Sequence, residues 1–179
     1  NFKHKDRIEL SSLKRVHITE AIIEKYKKQY PDLRHVRCKD TDTYKCDGYM
    51  WFDKENLVAQ VGSCEYLDDG TKWIVSLDIM KDYKGHGLSK QILDFATKTM
   101  KCKYLSVDKN NKLAKMIYDQ YGFKVYYEDD DLYYMTLEAN PVKVESMSGA
   151  IGSAIPLTPN PIPYECDKDN YYIIQHMQN

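Results

Sequence analysis

What most limits the fold of this chain is the order of its apolar runs. Three alternating stretches, DGYMWF, NLVAQVGSCEYL and TKWIVSLDIM, are separated only by the compact polar turns DKEN and DDG. Turns this short join antiparallel neighbours, because a parallel pair needs a crossover of about a dozen residues or more. The spacing therefore predicts three consecutive antiparallel strands near 47–52, 57–66 and 72–80. In the third, Trp73, Val75, Leu77 and Ile79 are expected on one face, with Ser76 and Asp78 on the other. The next stretch, DYKGHGLSKQIL, sets a glycine on either side of His86. Leu88, Ile92, Phe95, Ala96 and Met100 then recur at helical spacing, so the KGHG turn stands where a strand hands over to a helix N-terminus. Glycines there permit close approach, and the open amides of a first helical turn attract anions. Two readings stay open at this point: a cradle for a pyrophosphate, or glycines that only tighten a surface turn. The pattern is not GxGxxG and follows no parallel βαβ unit, which argues against dinucleotide binding.

The segment KYLSVDKNNKLAKMIYDQYGFKVY predicts a strand near 103–108, a helix that Asn111 caps and Gly122 stops, and a further strand. Leu113, Ala114, Ile117 and Tyr121 are expected to pack inward, with Lys112 and Lys115 in water. A last strand over 132–137 follows the acidic turn EDDD. Ahead of the strands, TEAIIEKYKKQYP places Ile22, Ile23, Tyr26 and Tyr30 at helical spacing between a Thr19 cap and a Pro31 stop, a helix near 20–30. Three antiparallel strands, helix, strand, helix and hairpin make an α+β (mixed α/β) domain.

Composition removes several functions. Among 179 residues, 26 Lys and Arg stand against 27 Asp and Glu, which gives no global argument for a nucleic-acid partner. The 16 tyrosines do not interleave with basic residues; four of them surround the acidic run 128 to 131. No apolar run is long enough for a membrane span and no signal-like start is present, so neither nucleic acid nor membrane is expected as a partner. Cys38, Cys46, Cys64, Cys102 and Cys166 form no CxxC pair and no zinc-like spacing with histidine. Reduced thiols, a cytoplasmic setting and no metal are the expectation. A start at Asn1 reads as a processed piece of something longer, or as trimming. Beyond about 140 the texture changes to ESMSGAIGSA, PLTPNPIP and a terminal YYIIQHM. The expected division is a domain over 1–140 and a linker or wrapping extension over 141–179, which is a candidate contact to a partner subunit or parent-protein segment, or a disordered terminus.

Residues Lys84 to Ser89, KGHGLS, resemble the acyl-coenzyme-A pyrophosphate motif of the GNAT superfamily of N-acetyltransferases, written R/Q-x-x-G-x-G/A. Lys84 takes the first position and keeps a cation, Gly87 is the central glycine, and Ser89 is the final small residue. The region LSVDKNNKLAKMIYDQYGF is similar to the family's L-x-V-x-x-x-N-x-x-A-x-x-L/I-Y-x-x-x-G-F, matched in order and spacing by Leu105, Val107, Asn111, Ala114, Ile117, Tyr118, Gly122 and Phe123. The resemblance covers about 47–137; residues 1–46 fit only loosely, as a shortened or divergent first strand and helix. It implies a central, mostly antiparallel, splayed sheet flanked by helices, with acetyl-coenzyme A in the opening. It further implies a pyrophosphate against Lys84, Gly85, His86, Gly87, Leu88 and Ser89, and a pantetheine arm along the strand that ends at Ile79. Asn111 becomes a cofactor contact as well as a cap, and Tyr118 the proton donor to the leaving thiolate.

The general base has two candidates, Asp78 and Glu65, carboxylates on neighbouring strands that would accept a proton directly or through water if burial raises their pKa; exposed charge is the alternative for both. His86 stands in the phosphate-facing turn, remote from a thioester. Cys64 and Cys102 lack a neighbouring histidine and acid, so packing is preferred to an acyl-cysteine. The expected function is transfer of an acetyl group to a primary amine of a small molecule or of a protein lysine or N-terminus. The alternative is a catalytically degenerate coenzyme-A-binding or structural module. The acidic run 128 to 131 either attracts a cationic acceptor or is a solvated turn.

Overall fold

The computed structural model describes residues 6–29 and 40–141. After a short 3-10 turn the elements run β1 Lys14–His17, α1 Glu20–Gln29, β2 Tyr44–Asp53, β3 Asn56–Tyr66, β4 Lys72–Ile79, α2 Leu88–Asp94, β5 Tyr104–Asp108, α3 Lys112–Tyr121, β6 Lys124–Glu128 and β7 Leu132–Thr136. The strands form one seven-stranded sheet in the order β1-β2-β3-β4-β5-β7-β6. Every neighbouring pair is antiparallel except β4 and β5. The helix before β2 and the three consecutive antiparallel strands are where the sequence places them, and β1 is the shortened first strand. Cys38, Cys166 and all but the first residue of the 141–179 extension lie outside the described residues.

The two sheet faces bury different chemistry. On one, α2 and α3 cover an aliphatic core that includes Trp51, Val61, Ile74, Leu88, Ile92, Leu105 and Met135. On the other, α1 covers Met50, Phe52 and Leu57 through Ile23. A separate cluster, formed by Tyr44, Tyr66, Trp73, Tyr104 and Tyr134 with Cys46 and Cys64, takes up the remainder of that second face. A Leu or Ile side chain fully withdrawn from water contributes roughly 1.5–3 kcal/mol, so the aliphatic face carries most of the driving force.

The expected alternation in β4 fails at one residue. Gly62 pairs with Ser76 and Ser63 with Ile74, so Val75 is an extra residue bulged out of the register. Trp73 and Val75 consequently join the tyrosine-rich cluster. Leu77 and Ile79 pack with Ile74 toward the helices. Trp73, Val75, Leu77 and Ile79 thus do not share a face: one bulged residue reverses the parity of everything after it.

Through α2 and the turn that follows it, the buried Leu88, Ile92, Ala96 and Met100 step by four. On an ideal helix each such step drifts by about 40°. A π-helical turn over Phe95–Thr99 follows α2 directly and under-winds the chain, keeping Ala96 and Met100 against the sheet. Between α2 and α3, the Tyr121 hydroxyl donates to Asp94 Oδ1 at 2.7 Å, with Thr97 Oγ1 2.9 Å from the same hydroxyl and Lys98 Nζ 3.4 Å from Asp94. The Tyr121 bond holds the Asp94 carboxyl below the usual carboxylate range against an opposing push from partial burial, with Lys98 adding to the effect. A depressed carboxylate pKa contributes stability that is present above the ordinary carboxylate range and is lost as pH falls through the lower folded value. Tyr121→Phe should therefore cost about 1 kcal/mol at neutral pH. In urea unfolding curves that difference should shrink as the pH is taken below the carboxylate range.

Candidate functional site

β4 and β5 pair only at Trp73 with Tyr104 and at Ile74 with Leu105. β4 continues to Ile79 and β5 to Asp108, so beyond two residue pairs the strands part. A cleft of about 310 Å³ opens there, bounded by Leu77 and Ile79, by the turn entering α2, and by the first two turns of α3. Ile79, Lys84, Gly85, Gly87, Leu88, Ser89, Asn111 and Tyr118, all singled out in the sequence, line this one cleft.

The other three singled-out residues stand elsewhere. His86 does not line the cleft; its Nδ1–H donates to the Asp6 carbonyl at 2.6 Å, and its own carbonyl accepts from the Ile8 amide at 3.0 Å. It ties the turn to the N-terminal segment. Glu65 lies opposite Lys45 and Lys72, at the start of β4 and away from Leu77 and Ile79. Asp78 is beside the cleft on the tyrosine-cluster side of the sheet, directly across from Gln60.

Local sequence explains each wall. Gly85 and Gly87 adopt φ of 85° and 77°, a region that side chains with a Cβ rarely enter. A Cβ at Gly87 would meet only Arg7, its Nη1 at 3.5 Å, so backbone conformation rather than lack of room requires glycine there. Asn111 caps α3, its Oδ1 accepting from the Ala114 amide at 3.2 Å. At the other end, the Phe123 amide bonds the Tyr118 carbonyl at 3.0 Å and the Gly122 amide the Asp119 carbonyl at 3.1 Å, with Gly122 at φ 120°. These are the two bonds of a Schellman stop. The apolar contact that accompanies such a stop is here the Phe123 ring against Tyr118, edge-on with centroids 6.1 Å apart. The Gly122–Phe123 pair that ends the helix therefore also fixes the tyrosine. Leu113 corrects the expected packing: it is 64% exposed and forms the cleft's outer lip. Lys115 is bound to Asp119 at 2.6 Å and lies over the Tyr133 ring, rather than standing in water alone.

Burial pushes the Tyr118 hydroxyl up to about 12, and the nearby Asp78 charge adds to it. Tyr118 is protonated at neutral pH, and its hydroxyl is hydrogen-bonded by none of the described residues. Asp78 in turn belongs to a chain of bonds that the sequence reading missed. Ser76 Oγ donates to Gln60 Oε1 at 3.1 Å and Gln60 Nε2 donates to Asp78 Oδ2 at 2.7 Å, with Gln60 wholly buried. The signal was a lone glutamine between Ala59 and Val61 in an otherwise apolar run. Such a residue stays only where its amide is satisfied. Cys102 is buried and its thiol pushed up by burial to about 12, which suits packing and not nucleophilic work.

Residues 17–123 match the model of the Acetyltransferase (GNAT) family. The chain belongs to this family. Among solved structures, it is similar to the N-acetyltransferase PseH of Campylobacter jejuni, with 21% identity over 72% of this chain and 99% of that one and a TM-score of 0.45. PseH in complex with acetyl coenzyme A aligns at 24% identity over 68% and 79% of the two chains, with a TM-score of 0.42. The spermidine/spermine N-acetyltransferase SpeG from Vibrio cholerae aligns at 13% identity over 70% and 92%, with a TM-score of 0.47. No curated protein matches.

The donor set of this GNAT cleft fits a long ligand with an anionic segment. Leu77, Ile79, Leu113 and Ile117 offer apolar wall, while Lys84 and the glycine amides offer positive charge at one end. Asn111 separates two roles by mutation. Asn111→Ala removes the cap and should cost about 1 kcal/mol of stability. Asn111→Asp keeps an oxygen for the Ala114 amide, so its melting temperature should stay near wild type. The introduced carboxylate brings a negative charge to the cleft, so affinity for an anionic ligand there, read by calorimetry with coenzyme A as the probe, should fall at least about tenfold.

Proposed function

We propose that the protein is an acetyl-coenzyme-A-dependent N-acetyltransferase acting on a primary amine. The observation that carries this reading is the convergence of the parted β4, the glycine turn and the first two turns of α3, with Tyr118, on one cleft. In this reading Lys84, Gly85, Gly87, Leu88 and Ser89 hold the cofactor's pyrophosphate, His86 anchors that turn from behind, and the backbone near Ile79 holds the pantetheine arm. Bound there, acetyl-coenzyme A supplies an acetyl group activated as a thioester.

Tyr118 keeps its proton on Oη and donates a hydrogen bond from there to an anion developing in the cleft. With its pKa raised to about 12, the phenol is a weaker acid than an ordinary thiol at about 8.5. Its contribution is stabilisation by a fixed donor, with full proton transfer completed by solvent or by the proton that the amine gives up. Asp78 is the better-supported base of the two candidates. Its carboxylate is within electrostatic reach of Tyr118, and the Gln60 amide donates to one of its oxygens and orients it; in this reading its charge attracts an ammonium and it accepts the proton. Glu65 is too far along β3 to serve. The acceptor class extends to small polyamines, lysine side chains and peptide N-termini, which the charge of Asp78 favours without choosing between them.

Calorimetry with coenzyme A, followed by a thiol-release assay with acetyl-coenzyme A on a panel of amines, tests the reading. Tyr118→Phe keeps the ring against Phe123, so its melting temperature should stay near that of wild type. Its kcat should fall by about 10-fold to 1000-fold, on the order of 1.4–4 kcal/mol. Unchanged turnover would return Tyr118 to the core. Binding without turnover on every amine would favour the degenerate module, and absence of binding would overturn both.

A further inference from the structure

Cys46 on β2 and Cys64 on β3 are direct partners in the antiparallel register, and their Sγ atoms lie 3.1 Å apart. That is inside ordinary non-bonded contact, roughly 3.5–4.0 Å for carbon. The backbone says which kind of pair they form. The Cys46 amide donates to Asp40 Oδ1 at 2.8 Å, the Tyr44 carbonyl accepts from Thr41, and the Gly48 carbonyl accepts from Ile18. Residues 44, 46 and 48 thus direct their backbone groups away from β3, which makes Cys46 and Cys64 a non-hydrogen-bonded pair. In such pairs the Cα atoms are about 4.5 Å apart and the side chains are closest, within the span a disulfide tolerates.

We propose that Cys46 and Cys64 are a thiol modification site that closes into a cross-strand disulfide on exposure to a low-molecular-weight disulfide. Cys64 is wholly buried and Cys46 is 8% exposed, so the reagent meets Cys46 first. The Cys46 thiol loses its proton and its sulfur attacks one sulfur of the reagent, whose S–S bond breaks and releases one thiolate. The Cys64 thiol then loses its proton and attacks Cys46 Sγ, breaking the mixed S–S bond and releasing the second thiolate. The two released thiolates take up the two protons, so two protein thiols are oxidised and one small disulfide is reduced to two thiols. The site needs neither the cleft nor a cofactor, and it is independent of the proposed activity. A reducing milieu leaves the pair as thiols.

The full-length chain, folded at neutral pH, is incubated in oxidised glutathione, quenched with an alkylating agent and digested with trypsin, which separates Cys46 in peptide 46–54 from Cys64 in peptide 55–72. The expected product is these two peptides joined, two hydrogens lighter than their sum, at least about ten times more abundant than any other cysteine pairing. Excess dithiothreitol should return both alkylated peptides, and oxidation in urea should erase the preference. Recovery of both peptides alkylated to the reduced level would overturn the proposal and leave only an S–H···S contact. Glutathione persisting on Cys46, or preferential pairing with Cys38, Cys102 or Cys166, would overturn it equally. Cys64→Ser, where it folds, should trap the Cys46 mixed disulfide; the wild-type map decides without it.

Discussion

The site depends on β4 and β5 staying paired for only two residues. A parallel pair in the middle of an antiparallel sheet would normally continue as a ladder, each step satisfying backbone groups on both strands. Here β4 runs on to Ile79 against β3 alone, so the edge that faces β5 turns its polar backbone toward an opening. Backbone groups at such an edge need a partner. A ligand laid along the strand meets that need with few demands on side chains. This explains why the candidate cofactor residues are mainly small or apolar, with Lys84 as the cation.

The bulge at Val75 works with this opening. Had β4 alternated regularly, the Trp73 ring would share a face with Leu77 and Ile79 and compete for the space beneath α2 and α3. The extra residue sends Trp73 into the tyrosine cluster and turns Leu77 and Ile79 to the cleft. It also leaves Ser76 and Asp78 on the side of Gln60. One inserted residue therefore separates packing at the start of the strand from the cleft wall at its end.

Much of this was legible because caps and turns are local. Asn111, Gly122 and the glycines of KGHG act on backbone within a few residues, and the sequence places each where the structure has it. The bulge was not legible, since TKWIVSLDIM alternates well enough by itself and only pairing with Gly62 and Ser63 reveals the shift. Leu113 misled for a related reason: helical spacing marks a face as apolar, but not whether that face meets core or an opening. The Cys46–Cys64 contact joins residues 18 apart and required the β2–β3 register.

The buried glutamine connects packing to chemistry. Burying an unsatisfied amide costs several kcal/mol, so Gln60 in the middle of an apolar strand is tolerable only with both ends of its amide engaged. Ser76 engages the oxygen and Asp78 the nitrogen, and both belong to the strand that borders the cleft. The nearby Asp78 charge adds to burial in keeping the Tyr118 proton in place. In the proposed reaction, a neutral phenol lining the cleft and a carboxylate beside it on the other face of the sheet divide donor and acceptor duties without exchanging a proton with each other.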